Sequence, residues 1–140
     1  MRVNKQTFQL ALLGLMVAFA VTRAYAQSRI AVELPFDFSI SDRAFPAGQY
    51  SVSSSHGQLS VQDSTGKLVF LGMVNQISGR HVGPTGMVVF HCYDARCFLS
   101  EYWTPTRENG SQLQPSHEEA GLAKQEKRTE LALLGQRQQR

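Results

Sequence analysis

Residues 30–40, IAVELPFDFSI, set the apolar pattern of the whole chain. Apolar side chains recur there at every second position: Ile30, Val32, Leu34, Phe36, Phe38 and Ile40. This alternation has the period of a half-buried β-strand. Pro35 cannot donate a backbone N–H, and it falls on the outward phase. It therefore predicts an edge strand or a bulge rather than a break.

Further short strands, separated by turns, follow this stretch. The predicted strands are Gln49–Ser53, a segment around Leu59 and Val61, and Lys67–Val74, with turns at Pro46–Gly48, Ser55–Gly57 and Asp63–Gly66. Strands at such regular intervals are typical of antiparallel sandwiches and barrels. We therefore predict an all-β fold, mainly antiparallel, either a sandwich or a barrel, with a C-terminal helix.

A β-hairpin is predicted around Asp94 and Ala95, with strands at Met87–Tyr93 and Cys97–Trp103. A two-residue turn there would pair residues whose numbers sum to 189, such as Met87 with Tyr102. Because neighbours in a strand alternate faces, the two predicted faces are fixed. One carries Val88, Phe90, Cys92, Cys97, Leu99, Glu101 and Trp103, and the other Met87, Val89, His91, Tyr93, Arg96, Phe98, Ser100 and Tyr102. His91 and Glu101 are thus expected on opposite faces.

The same pairing places Cys92 opposite Cys97, which predicts a disulfide if the protein is exported to an oxidising compartment. The rival interpretation is a metal site formed by both cysteines and a histidine. Two observations weigh against it, since His91 would point to the other face and C-x4-C is not the usual short zinc spacing.

The last third of the chain has a different composition. Residues 105–140 are predicted to form a polar loop and a C-terminal helical tail, following a β domain over residues 27–104. Ser116 and Glu119 have the spacing of a helix capping box, and Glu118–Leu134 favours helix by propensity.

The N-terminus has the features of a secretory signal peptide over residues 1–26. Arg2 and Lys5 precede an uncharged apolar run, Thr7–Val21. A transmembrane helix needs about 20 apolar residues, so this run is too short to form one. Ala24-Tyr25-Ala26 matches a signal peptidase site, which predicts cleavage between Ala26 and Gln27. The alternative is an uncleaved anchor helix. The expected location is periplasmic or secreted, without a membrane span in the mature chain.

Cleavage would also change the charge balance. The leader holds three of the 14 basic residues and none of the 11 acidic ones, so 14 − 3 = 11 bases would face 11 acids. A mature chain with no net charge lacks the basic patch of a nucleic-acid-binding protein, and that class is set aside.

Several segments carry a resemblance to a family. These are residues 34–38 (LPFDF), 45–52 (FPAGQYSV), 89–91 (VFH) and 98–103 (FLSEYW). They resemble an uncharacterised group of small exported β-proteins that is common in acidobacteria and other soil bacteria. The resemblance covers most of the mature chain and implies no catalytic residues. The cysteine pair departs from the common pattern of that group, which favours a local staple over a shared active site.

The sequence offers one candidate binding surface, on the second face of the hairpin. It consists of His91, Tyr93, Arg96, Phe98 and Tyr102. Two interpretations are open: the C-terminal helix covers this face, or it is an exposed aromatic patch for a glycan, a peptide or another envelope component.

Motifs of serine hydrolases, zinc peptidases and phosphate-binding loops are absent from the sequence. No metal or other cofactor is therefore expected. The leading hypothesis is an exported β domain with a binding or structural role, not an enzyme. The alternative is a small extracytoplasmic hydrolase in which His91 or His81 works with a carboxylate from elsewhere in the chain.

Overall fold

The computed structural model describes residues 29–105 and 108–136. The predicted signal peptide and its cleavage site lie outside these residues. The described elements are β1 (Arg29–Leu34), β2 (Phe38–Ile40), β3 (Arg43–Phe45), β4 (Gly48–Ser55), β5 (Gln58–Asp63), β6 (Leu68–Met73), β7 (Asn75–Ser78), β8 (Met87–Tyr93), β9 (Arg96–Trp103), β10 (Asn109–Gln112), α1 (His117–Gln125) and β11 (Arg128–Leu134).

The strands form two sheets whose apolar faces meet. The first sheet has the order β1-β4-β5-β6, with antiparallel neighbours. The second has the order β11-β8-β9-β10-β7, and β2, which pairs with β3, joins β9 in parallel. Both sheets contribute to one buried core, so the all-β prediction is confirmed, in its sandwich form.

The core follows the alternation seen in the sequence. Its buried members from the first sheet are Ile30, Val32, Leu34, Tyr50, Val52, Leu59, Val61 and Phe70, and those from the second include Phe38, Ile40, Val88, Phe90, Leu99 and Tyr102. Alternate residues of each strand point inward, so the intervening positions of β4 and β5 carry serine and glutamine.

The opening stretch is divided between the two sheets. β1 is an edge strand of the first sheet, as Pro35 predicted, but the chain leaves that sheet at Pro35 and enters the second sheet at Phe38. The expectation of one unbroken strand is therefore wrong. The apolar alternation continues across the break because both halves face the same core from opposite sides.

The β8–β9 hairpin contains a bulge that the sequence did not predict. Cys92 faces Cys97, His91 faces Phe98 and Phe90 faces Leu99, as expected, but Val89 faces Glu101. Ser100 is the extra residue, and beyond it every position of β9 changes face. Tyr102 therefore lies on the core side, while Glu101 and Trp103 lie on the outer side with His91. The predicted separation of His91 from Glu101 is wrong.

The helical tail is shorter than predicted. α1 ends at Gln125, and Arg128–Leu134 forms β11 on the free edge of β8. Pairing with an open strand edge outweighs the modest helix propensity of this segment. Leu131 and Leu133 lie opposite the core residues Phe90 and Val88, and Leu133 packs against the core, whereas Leu131 is 38% exposed. The prediction of helix through Leu134 is wrong.

The expected polar loop also holds a strand. β10 pairs with β9 on one side and with β7 on the other. The second sheet therefore depends on residues from both sides of the boundary predicted between residues 104 and 105.

Cys92 and Cys97 form a disulfide across the hairpin, as predicted, with their Cα atoms 4.0 Å apart. Sulfur atoms bonded to each other in this way offer no thiolate to a metal ion. Because the closed loop is short, reduction of the folded protein should lower its free energy of unfolding by only about 2 kcal/mol, and the fold should persist. Urea melts with and without reductant measure this difference. Thiol counting on unfolded, unreduced protein should find no free thiol, and two free thiols would contradict the pairing.

Candidate functional site

The surface that the sequence singled out is covered. His91, Tyr93 and Phe98 are buried on the outer face of the second sheet, and Arg96 lies at its edge. The aromatic rings of Tyr93 and Phe98 are 6.1 Å apart, with the Arg96 guanidinium 5.9 Å from the Phe98 ring. α1 reaches this surface with Glu118 and Glu119, so the interpretation in which the helix covers the face is confirmed.

Glu119 makes the main contact between the helix and the sheet. Its Oε1 accepts a hydrogen bond from the Tyr93 hydroxyl at 3.3 Å and lies 3.7 Å from Nδ1 of His91. Ser116 caps α1, as the S-x-x-E spacing predicted, by accepting the backbone N–H of Glu119. In a complete capping box the carboxylate of Glu119 would reach back to the backbone N–H of Ser116. Here it is directed to the sheet instead. Burial, and secondly the charge of Glu119, raise the pKa of Tyr93, which keeps its hydroxyl a donor.

The two histidines of the hydrolase hypothesis occupy very different environments. The side chains of His91 and Glu119 are only 9% and 7% exposed. His81 is 88% exposed, and its Nδ1 lies 4.0 Å from a carboxylate oxygen of Glu108. Glu101, on the same face as His91, instead accepts a hydrogen bond from the indole of Trp103 at 2.7 Å. Each histidine thus has a carboxylate neighbour, but His91 is sealed from solvent with its partner.

Tyr102 belongs to a different site from the other predicted binding residues. The bulge turns it into the core, where it forms part of the lining of a cleft at one end of the sandwich. The other described residues that line this cleft are Ser54, Ser55, His56, Gly57, Gln76, Thr104, Asn109, Gly110 and Ser111, and its volume is about 250 Å³.

Turn geometry fixes one side of the cleft. His56 and Gly57 connect β4 to β5, and both have positive φ, 53° and 75°. This pair of values is characteristic of a type I′ turn, in which asparagine and glycine are preferred. The turn holds the His56 ring over the preceding residue, with Nδ1 2.7 Å from the Ser55 hydroxyl.

The two sheets meet at the cleft through a pair of serines. Oγ of Ser54, from the first sheet, lies 2.8 Å from Oγ of Ser111, from the second. Beside Ser111 in β10, Gly110 lies so close to Trp103 that a Cβ atom would come within 2.8 Å of the indole. Glycine at this position lets β10 approach β9 and completes the wall of the cleft.

The chemistry of the lining is polar and almost free of charge. The described lining residues supply hydroxyl, amide and imidazole groups, and none is a carboxylate or a basic side chain other than His56. Hydroxyl and amide groups both donate and accept hydrogen bonds. The lining therefore presents hydrogen-bond donors and acceptors, with no carboxylate, lysine or arginine among its described residues.

A second, more open concavity lies on the outer face of the first sheet. Arg29, Asp63 and Gln136 are among its lining residues, and its volume is about 300 Å³. Its charged groups are already engaged: Arg29 donates to Gln62, and Asp63 accepts from the Thr65 hydroxyl and from two backbone N–H groups of the β5–β6 turn. These bonds lower the pKa of Asp63, the Thr65 hydroxyl most strongly. The carboxylate of Asp63 thus stabilises the β5–β6 turn.

Burial raises the pKa of Tyr102 from its ordinary value of 10.0 to about 12. A proton held more tightly in the folded state contributes stability below pH 10 that is lost as the pH rises toward 12. The shift corresponds to at most roughly 3 kcal/mol, and screening by water in the cleft reduces the expected loss to about 1–2 kcal/mol. Urea melts between pH 8 and pH 12 should show this loss in the wild type and a flatter profile in Tyr102→Phe. Parallel profiles would contradict it.

Sequence reasoning missed the cleft because its walls come from distant segments. Residues 54–57 belong to the first sheet, whereas Gln76, Tyr102, Thr104 and residues 109–111 come together in the second through the pairing of β7, β9 and β10. The two walls meet only where the sheets pack against each other. The run Ser53-Ser54-Ser55 beside a turn was the one local signal, since three successive polar residues at the end of a strand break the alternation.

Across residues 29–105 and 108–136, no group of three or more His, Cys, Asp or Glu side chains is placed to hold a metal ion. No helix in that part of the chain has the length and apolar character needed to cross a bilayer.

Comparison of the chain with protein-family models, curated proteins and solved structures finds no match.

Proposed function

We propose that this chain is an exported β-sandwich protein that binds a neutral, hydroxyl-rich ligand, of the class of a saccharide unit, in the cleft between its two sheets. The observation that carries the proposal is the lining of the cleft by hydroxyl and amide groups around the Ser54–Ser111 contact. The sequence left three kinds of partner open: a glycan, a peptide or another envelope component. The polar lining of the cleft favours a glycan of the envelope or its surroundings.

The character of the ligand follows from the groups that would meet it. Phosphate and carboxylate ligands are usually held by arginine or lysine, and cationic ligands by carboxylates. The described lining offers neither, whereas serine, threonine, asparagine and glutamine can pair with the hydroxyls of a sugar. The volume is slightly below the roughly 300–1,000 Å³ of sites for drug-sized ligands, which suits one ring or a chain end.

Export is supported by two independent features. The N-terminal 26 residues have the pattern of a cleaved leader, and the Cys92–Cys97 disulfide suits an oxidising compartment. Mass spectrometry of the exported protein should find a chain that begins at Gln27. An intact Met1 on that protein would overturn cleavage.

A binding role is preferred to the hydrolase alternative because of where the two histidines of that hypothesis, His91 and His81, lie. His91 and its carboxylate partner are buried beneath α1, and His81 is exposed on a loop. A hydrolase needs its base within reach of a substrate in an open, concave site.

Two serine pairs provide a matched test. Ser54 and Ser111 meet in the cleft at 2.8 Å, while Ser53 and Ser60 meet at 2.7 Å on the outer face of the first sheet. Replacing both members of a pair by alanine leaves neither hydroxyl without its partner, so both double variants should fold. Affinity for neutral mono- and disaccharides such as glucose, mannose and N-acetylglucosamine is measured by calorimetry, with glucuronate as the charged control.

Ser54→Ala/Ser111→Ala should bind the preferred sugar about 5- to 150-fold more weakly, since two hydrogen bonds of about 0.5–1.5 kcal/mol each are lost. Ser53→Ala/Ser60→Ala should bind it as the wild type does. Equal loss in both variants, or equal affinity for glucuronate, would contradict the proposal.

A further inference from the structure

We propose that the surface formed by His91, Tyr93 and Arg96 is a binding site for an acidic peptide segment, and that α1 occupies it with the chain's own Glu118 and Glu119. This site is separate from the cleft between the sheets and does not depend on the function proposed for it.

The way in which α1 is attached points to this inference. A helix usually packs on a sheet through an apolar stripe, but the only buried residue of α1 is the carboxylate-bearing Glu119. Leu122 is half-buried, and its neighbours on either side are exposed. The contact between helix and sheet is therefore made mainly by charge and hydrogen bonding.

The groups on the sheet match consecutive carboxylates. Tyr93 donates to Oε1 of Glu119, His91 lies 3.7 Å from the same oxygen, and Arg96 forms an ion pair with Glu118. Arg128 of β11 is paired with Tyr93, and its side chain lies close enough to offset part of the rise in the pKa of Tyr93 that burial and Glu119 cause, so a second guanidinium borders the site. Glu130, which lies opposite His91 in β11, forms an ion pair with Arg80 at 3.0 Å.

Buried carboxylates demand such partners. An ionised carboxylate taken out of water is costly unless it is paired and hydrogen-bonded. The surface supplies these partners beside the Tyr93 and Phe98 rings, which gives it the chemistry to recognise a glutamate on a short helix. A neutral glutamine in the same place would recover only part of the interaction.

α1 is also a ligand that another segment can replace. An isolated helix shorter than about 12–15 residues is marginal in water, and α1 has nine residues. Its hold on the surface is reinforced by its covalent connection, which gives it a high effective concentration. A peptide added in solution must therefore compete with α1, and it should bind well only when the contact of α1 is weakened.

The probe is a synthetic peptide of residues 115–125, PSHEEAGLAKQ, added to isotope-labelled full-length protein. The protein carries Glu118→Gln and Glu119→Gln, and core amide protection around Phe90 verifies that it is folded. We expect the amide signals of His91, Tyr93 and Phe98 to shift on binding. The wild-type protein should bind the same peptide at least about tenfold more weakly, because its own α1 competes for the site. A peptide with both glutamates replaced by glutamine should not bind the variant.

Three outcomes would overturn the proposal. In the first, the glutamine peptide binds the variant as tightly as the glutamate peptide. In the second, wild type and variant bind the peptide equally. In the third, the amides of α1 exchange as slowly in the variant as in the wild type, which would show that the carboxylates do not hold the helix.

Discussion

Replacement of Phe38 by alanine should lower the free energy of unfolding by about 3–5 kcal/mol, the usual cost of removing a buried aromatic ring. Phe38 is 3% exposed, and its ring contacts those of Phe45, Tyr50 and Phe90 at centroid distances of 5.5, 5.1 and 5.6 Å. These contacts join both sheets. Because a domain of this size is stable by only about 5–15 kcal/mol, the loss would be a large part of the total.

Denaturant melts of Phe38→Ala and of Leu71→Ala measure this effect against a control. Leu71 lies on the outer face of edge strand β6 and is 54% exposed, so its truncation should change stability by less than about 0.5 kcal/mol. Phe36, half-buried and in contact with Phe90, should give an intermediate loss. A loss below about 1 kcal/mol for Phe38→Ala would show that the inner face of β2 is wrongly assigned.

Gly86→Ala should destabilise the protein by about 2–5 kcal/mol through two additive causes. Gly86 has φ +74°, a conformation that costs an L residue about 1–2 kcal/mol. A Cβ atom there would also lie 2.8 Å from both the Ile30 side chain and the Trp103 carbonyl oxygen, and overpacking of this kind costs about 1–3 kcal/mol.

Gly66→Ala separates the two causes. Gly66 has φ +84°, but a Cβ atom there would meet no other group within 4 Å. It should lose only the conformational part, about 1–2 kcal/mol. If chemical denaturation gave the same loss for both variants, the close approach of residue 86 to β1 and β9 would be contradicted.

The sequence predicted those parts of the fold in which one side of a strand faces the core. Ile30, Val32 and Leu34 occupy alternate positions because every second residue of β1 faces the core, and the same holds for Leu59 and Val61 in β5. The Cys92–Cys97 pair was likewise predictable, since a short hairpin leaves little choice of register near its turn. Farther from the turn, the bulge at Ser100 reversed the faces of Glu101, Tyr102 and Trp103.

The errors share a physical cause, which is competition between local preference and distant partners. Residues 128–134 have ordinary helix propensity, but the unpaired edge of β8 offers seven backbone partners. The carboxylate of Glu119, expected to cap its own helix, is held instead by Tyr93 and His91. β8 is distant in sequence from β11, and Tyr93 and His91 are distant from Glu119. Local spacing therefore could not predict either contact.

For the same reason, one candidate site could be predicted from the sequence and the other could not. His91, Tyr93, Arg96 and Phe98 lie on one hairpin, and their proximity follows from strand alternation alone. The cleft needs Ser54 of β4 beside Ser111 of β10, a contact across 57 positions of sequence between two sheets. That contact became apparent only with the packing of the sandwich.

A titration of the isotope-labelled wild-type protein with the neutral saccharides, followed residue by residue by NMR, shows whether the cleft between the sheets binds a sugar. We expect one sugar to shift the amide signals of Gly57, Gln76, Gly110 and Ser111, which surround the cleft. The signals of His91 and Tyr93, sealed beneath α1, should stay unchanged. Absence of any shift at millimolar sugar, or shifts confined to the outer face of either sheet, would contradict it.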